Sequence, residues 1–413
     1  MRNPETEKRN YHAFIWHSIF LSITITFTEV NTVIPAMILQ IGGSEIHVGL
    51  VGAIMIGVPL LAQLNFTGFL HGKPRKKPWL LMGINMRVLS LGAIALTLMQ
   101  VHRMTVMQAL LVIYLELLLF TVSGAFAGVS YVDLIGKSFS TEIRRRFFTR
   151  KQLISSVGIL VSALLARQVL STFAYPRNYI MLFAAAAVVL LIATGGFWRI
   201  REEPGKGAPG SGYLRTLASI PGVLKADRNL RIYLLYRNSV GFHVALLPFY
   251  VAYARQHYQL DPALAGNLLF FQIAGMVSAS LLWPRLVKSG GFKAVLRVWS
   301  ILSFLLPPAA LLIGTFLPLP VYLLLFLFTG AVVSARLVSQ DAVIVELSTE
   351  ENRVLYTGIS GTLNLTVVFF PVIIGTIITF AGYVPVFIGV SLFAVVSLLF
   401  LHRLGCPADV QES

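Results

Sequence analysis

Long apolar runs separated by short polar breaks recur along the whole chain. A helix crosses ~30 Å of hydrocarbon with about 20 mostly apolar residues, and runs of that length can be drawn at roughly 12–38, 46–70, 79–100, 105–130, 152–173, 178–198, 229–254, 263–284, 294–316, 320–344, 354–380 and 383–402. Most connections are short. The two longer ones, 131–151 and 199–228, leave no room for a soluble domain. The first run continues past the length of a signal peptide with no small-residue cleavage site, so it reads as the first span. The pattern predicts an all-α membrane protein with twelve transmembrane helices.

Composition agrees with lipid as the solvent. The chain is 56% hydrophobic and 12% charged, with a mean hydropathy of +0.77, against about a quarter charged in soluble proteins. The net charge of +16 suggests nucleic acid until its placement is read. With the N-terminus on one side and alternation thereafter, nearly all loop Lys and Arg fall on the terminal side, and the other side holds only Arg103, Arg177 and Arg255. This bias assigns both termini to the cytoplasm and requires an even number of spans. The cations are dispersed over loops and not gathered on one module, so no nucleic-acid partner is expected. A multi-pass protein of the plasma (inner) membrane, monomeric among its lipids, is the expectation. Cys406 is the only cysteine and the histidines are scattered, so neither a disulfide, a metal nor a cofactor is predicted.

The chain repeats itself at an offset of 208 residues. Asp133 matches Asp341, Ser140-Thr141-Glu142 matches Ser348-Thr349-Glu350, Arg145 matches Arg353 and Thr149 matches Thr357. The match relates span 4 and its loop to span 10 and its loop. Two units of six spans follow, in the same orientation about an axis along the membrane normal. The predicted boundaries are an N-terminal six-helix bundle at 1–198, a cytoplasmic linker at 199–228, flexible by its Gly, Pro and Ser content, and a C-terminal six-helix bundle at 229–413. One class of secondary transporter is built this way, with substrate bound near mid-membrane between the halves.

The loop after span 2 reads Gly68, Phe69, Leu70, His71, Gly72, Lys73, Pro74, Arg75, Lys76, Lys77. With the topology, it resembles the signature Gly-x-Leu-x-Asp-Arg/Lys-x-Gly-Arg/Lys-Arg/Lys of the major facilitator superfamily. Gly68, Leu70, Lys73, Lys76 and Lys77 fit; Gly72 stands at the Asp position and Arg75 at the second Gly position, and Lys288 stands at the Asp position in the fainter copy after span 8. The resemblance implies two pseudo-symmetric bundles around a central site. It also implies that the missing Asp, which helps lock the cytoplasmic gate in that family, is replaced by something else or lost.

Ionisable groups at bilayer depth are costly and mark pathways by default. Glu29 lies deep in span 1 among Thr24, Thr28, Asn31 and Thr32, where a carboxylate could load and release a proton. Arg237 and His243 interrupt span 7, which the resemblance places opposite span 1, so contacts of Glu29 with either are expected. Glu29, Asn31, Arg237, His243 and, in span 10, Arg336 form the predicted substrate or proton site. Glu116 and Arg167, on consecutive helices, are expected to pair or to line a secondary cavity. Arg87 and Arg297 fall on spans that the resemblance makes peripheral and structural. Asp133, Arg145, Asp341 and Arg353 are predicted to form a cytoplasmic gate, carried on a turn and a short interfacial helix.

No phosphate-binding Gly-x4-Gly-Lys-Ser/Thr run occurs. The reading is a secondary active transporter, not an enzyme. It would move a small solute by alternating access with protons as the coupling ion. Intramembrane arginines outnumber carboxylates, which tilts the cargo towards an anion or zwitterion. A lipid or lysolipid translocator on the same scaffold, a membrane sensor and a membrane-embedded enzyme are the alternatives.

Overall fold

The computed structural model describes residues 4–71, 73–204, 213–258, 262–348 and 353–405. Among these, every regular element is helical. Among the described residues nine helical segments are long and apolar enough to cross a membrane. One of them, Leu264–Phe316, belongs to the helix Pro262–Phe316, which turns at Gly290 and Gly291 and so supplies two of the expected spans. Gly291 has φ +62° at that corner, a left-handed conformation that favours glycine.

The expected first and seventh spans are broken helices. α1 (Pro4–Phe27) stops, residues 28–32 turn, and α2 (Val33–Ile41) resumes. The break lies at Thr28-Glu29-Val30-Asn31-Thr32, where short polar side chains compete with the backbone for hydrogen bonds. Gly42 closes α2 at φ +107°, donating its N–H to the last carbonyls, as glycine does at helix ends. α3 (Glu45–Gly52), a π-helical turn (Ala53–Gly57) and α4 (Val58–His71) form the second span. The widened turn sits just ahead of Pro59, which has no N–H to return to the helix. α5 (Lys77–Met99), α6 (Val106–Ser138), α7 (Thr141–Thr172) and α8 (Arg177–Trp198) follow. α6 starts on a reciprocal cap between Thr105 and Gln108.

The stretch expected to be a flexible linker contains a helix, α9 (Tyr213–Ala226). Its Gly and Pro are concentrated before it, and the part beyond Gly212 has helix-compatible sequence. α10 (Arg228–Leu246) is capped by Asp227, whose Oδ1 accepts from the Leu230 N–H at 2.9 Å. It breaks at Leu247-Pro248 before α11 (Phe249–Tyr258). The rest is α12 (Pro262–Phe316), α13 (Leu319–Leu347), α14 (Arg353–Thr362), α15 (Leu365–Ala381) and α16 (Tyr383–Arg403). The repeated Ser-Thr-Glu segment at 140–142 does not lead into a separate interfacial helix. It opens α7, which runs unbroken for 32 residues.

Within the N-terminal half α1 packs on α7 and α8, and α5 on α6 and α8; within the other half α12 packs on α13 and α16, and α10 on α15 and α16. Between the halves, α3 and its π turn lie along α15, and α7 lies along α12. These cross-half contacts are tight because glycine allows them. A methyl group on Gly49 would overlap the Pro371 carbonyl, one on Gly375 would overlap the Glu45 carbonyl, and one on Gly266 would stand 2.9 Å from the Arg167 Cα. All lie towards the side remote from the termini, here the far side. Three polar contacts reinforce it: Arg255 Nη1 donates to the Leu39 carbonyl at 2.7 Å, Tyr383 Oη to Glu45 Oε1 at 3.0 Å, and Arg167 Nε to Asn267 Oδ1 at 2.6 Å. The main described cross-half contact on the terminal side is between α4 and α14.

Candidate functional site: a charge cluster at a broken helix

Glu29 occupies the break in the first span. Its Oε2 accepts from the Asn31 backbone N–H at 2.7 Å and from Thr32 Oγ1 at 2.9 Å, and its Oε1 accepts from Asn31 Nδ2 at 2.9 Å. A carboxylate so placed fills the donors of the turn that leads into α2, and the Glu29 backbone carbonyl takes the Ile34 N–H of the helix itself. The threonines around Glu29 turn to the backbone or to Glu29 itself. Thr26 and Thr28 donate to carbonyls one turn back in their own helix at 2.9 and 2.8 Å, and Thr32 serves Glu29.

Two arginines lie near this carboxylate, Arg336 and Arg87, and a third, Arg237, lies near Arg336. Arg336 of α13 is half-buried and lies within electrostatic range of both Glu29 and Arg237. Its buried Nε–H has no hydrogen-bond acceptor among the described residues. Arg237 of α10 donates through Nη1 to the Ser360 hydroxyl and, at 3.2 Å, to the Ser360 carbonyl. Its neighbour Asn238 bonds the Leu363 carbonyl and Thr366, holding the break between α14 and α15. Arg87 of α5 is the residue that sequence reasoning set aside. Its guanidinium lies 4.2 Å from the centre of the Phe120 ring, its buried Nε–H is also unpartnered, and it lines a cavity of about 420 Å³ together with Glu29. The floor there is Gly124, where a Cβ would stand 3.3 Å from Arg87 Nε. That glycine beside a polar span was the signal available in the sequence.

Neither expected partner of Glu29 bonds to it. Among the described residues Glu29 makes no ion pair, and Arg237 turns to Ser360. His243 is buried within the C-terminal half, with Nε2 on Tyr250 Oη at 2.9 Å and Nδ1 on Ser303 Oγ at 3.0 Å. Both ring nitrogens are thus occupied, and the residue serves packing between spans 7 and 9. Glu116 and Arg167 do not pair. Glu116 Oε1 accepts from Thr97 Oγ1 at 2.8 Å, whereas Arg167 reaches Asn267 and the face of Phe270. The two point to different neighbours because α6 packs on α5 while α7 packs on α12.

Of the four expected gate residues, the side chains of Arg145, Asp341 and Arg353 lie outside the described residues. Asp133 bonds Lys137 one turn on in its own helix at 2.7 Å. In the signature loop the Gly68 position is likewise undescribed at side-chain level, and Gly72 lies outside the described residues. Lys73 Nζ stands 5.0 Å from the Phe69 ring centre and 5.5 Å from that of Trp79. Lys76 Nζ donates to the Leu70 and Lys73 carbonyls, and Lys77 Nζ to those of Trp198 and Ile200.

An acid from beyond α8 reaches this loop. Glu202, just past α8, accepts from the backbone N–H of Lys76 at 2.6 Å and of Lys77 at 2.8 Å, and lies 3.4 Å from Lys137 Nζ. Its side chain is 3% exposed. It therefore caps α5 and ties the end of α8 to α6. Glu202→Ala is expected to destabilise the protein by about 2 kcal/mol or more, since charged hydrogen bonds are lost from a buried site. The exposed Glu203→Ala should stay within about 0.5 kcal/mol. Thermal unfolding of both variants in detergent checks this. Equal unfolding temperatures would remove Glu202 from the account.

No protein-family model matches the chain, and no curated protein matches it. Solved structures do resemble it. A mutant form of the nucleoside transporter NupG superposes with a TM-score of 0.70 at 12% identity, covering 97% of this chain and 99% of that one. The human organic anion transporter MFSD10 (TETRAN) gives 0.61 at 18% identity, covering 97% and 100%. A D-xylose-proton symporter gives 0.65 at 13%, covering 95% and 96%. At these identities the likeness is one of fold, over essentially the full length of each chain.

Proposed function

We propose that this chain, which has the major facilitator fold, is a secondary active transporter that moves a small anionic solute, coupled to protons. The single observation that carries the reading is the central charge arrangement. Glu29 already has its oxygens filled by its own helix turn, and the arginines near it keep donors unfilled. An anion could take up the Nε–H of Arg336, beside Glu29 and Arg237, in a partly dry site where such bonds are strong, and Arg87 offers a second free Nε–H in the cavity it shares with Glu29.

The two halves, 1–198 and 229–413, act as rigid bundles in this reading, with 199–228 between them. They rock around the cluster, and the terminal side is the cytoplasm, as the Lys/Arg bias implies. The conformer here has its halves closed on the far side, so it is the inward-facing one. Proton coupling runs through α2. A proton on Oε2 of Glu29 turns an acceptor into a donor, so the Asn31 N–H or the Thr32 hydroxyl must let go. The loosened end belongs to the same short helix whose Leu39 carbonyl holds Arg255 of the other half. Loading the proton thereby weakens the far-side closure.

Small carboxylates and phosphate esters, screened against the purified protein, should include one that raises its unfolding temperature. An anion at a hundred times its Kd stabilises by about 2.7 kcal/mol. Arg336→Gln should abolish that shift while leaving the unliganded protein folded. If only neutral or cationic solutes stabilise the protein, or if Arg336→Gln retains the full shift, the anionic assignment is wrong.

A further inference from the structure

A groove of about 900 Å³ lies between α1 and α8 and shares no lining residue with the cavity beside Glu29. Its two ends differ in chemistry. Where α8 ends, it is lined by Arg9, His12, Trp198 and Arg199; deeper, by Trp16 and Ile192. Ile192 to Trp198 is six residues of helix, about 9 Å along the axis. Arg9 and Arg199 are both exposed, and Arg9 Nε donates to the Arg199 carbonyl at 2.6 Å, which holds the two cations together at the helix end. Trp16 is fixed by its Nε1–H on the Ile192 carbonyl at 2.9 Å, yet 45% of its surface remains open. Trp198 is 59% exposed. The floor is open at Gly195, where an added Cβ would meet nothing within 4 Å. No acidic side chain lines the groove among the described residues.

Each feature has a use for a lipid. Tryptophans with one apolar and one polar edge belong at headgroup depth. Basic pockets between membrane helices hold anionic headgroups. The inner apolar stretch has no function for a free phosphate ion but matches the first carbons of an acyl chain. A zwitterionic headgroup would not repay a cluster of two guanidiniums and an imidazole. The groove also opens on the side that the Lys/Arg bias assigns to the cytoplasm, where anionic lipids attract basic segments.

We propose that this groove binds one anionic phospholipid, its phosphate held by Arg9 and Arg199 and its acyl chain laid against Trp16 and Ile192. The assignment does not depend on what the chain transports.

Native mass spectrometry of the full-length protein, released from detergent in the presence of phosphatidylglycerol, provides the test. The wild type should retain a phosphatidylglycerol adduct and bind phosphatidylcholine of the same chains far less. Arg9→Ala with Arg199→Ala should lower adduct affinity about 30-fold, the worth of two arginines at an anionic headgroup. Gly195→Leu keeps both charges, fills open space, and should lower it comparably, so the outcome does not hang on the folding of the double variant. Arg285→Ala with Arg403→Ala, two exposed arginines elsewhere on the same side, should leave the adduct intact. Equal binding of phosphatidylcholine, equal loss in the control pair, or full retention in Gly195→Leu would overturn the proposal. So would thermal stabilisation by inorganic phosphate matching that by phosphatidylglycerol, which would mark a site for a free anion.

Discussion

Glu29→Gln is expected to abolish accumulation driven by a pH gradient while sparing exchange of solute down its own gradient. At one proton per solute, a gradient of one pH unit sustains about tenfold accumulation, because each unit is worth 1.36 kcal/mol. In the variant the ratio should fall to one. The amide retains an acceptor oxygen, so part of the cap on Asn31 and Thr32 survives, and the turn at 28–32 keeps its shape. What the amide cannot do is take up and release a proton. Proteoliposomes with an imposed gradient measure the first quantity, and counterflow of labelled solute measures the second. Full accumulation in Glu29→Gln would end the coupling claim. Loss of both activities in a folded protein would instead make Glu29 a structural cap for α2, with coupling located elsewhere.

The spans were legible because bilayer thickness imposes one length on every one of them, and because lipid tolerates few charges. The internal repeat was legible because Asp, Ser-Thr-Glu and Arg recur at a fixed offset, and polar matches carry information that leucines do not. The break at Glu29 was also written there: Thr28, Asn31 and Thr32 are helix-capping residue types. Periodicity alone does not say whether a helix continues through such residues or stops at them. Arg87 was misplaced for a different reason. Its span was assigned to the periphery by analogy, whereas its side chain follows the space left at Gly124 and reaches the cavity beside Glu29. Glu202 could not be found from its neighbours in sequence, since its role depends on α5 starting beside the end of α8. His243 shows the opposite case. A buried histidine drew attention by its type, and its two hydrogen bonds to Tyr250 and Ser303 reveal a packing role.

Gly375→Ala is expected to hold the protein open on the far side and to stop transport without unfolding it. In the closed arrangement a methyl group there would overlap the Glu45 carbonyl and stand 2.8 Å from the Ile46 Cα. Backbone atoms of a packed helix do not yield cheaply, and overpacking costs about 1–3 kcal/mol. Conformers that interconvert during transport differ by only a few kcal/mol, so the closed form should become about 10–100-fold rarer. The contact is one between halves, and the half carrying Gly375 loses nothing when the closure opens. Gly275 and Gly330 provide the contrast. A methyl on either would overlap the backbone carbonyl of Leu327 or Gln272, between α12 and α13 of a single half, so alanine there should lower folded yield in every conformer. Val48, fully buried on α3, the helix that lies along α15, reports the difference. In a Cys406→Ser background, Val48→Cys should react with an impermeant maleimide from the far side slowly in the parent and much faster with Gly375→Ala. Unchanged labelling together with intact transport would show that closing α3 against α15 is not a step in the cycle, and the inward-facing assignment of this conformer would go with it.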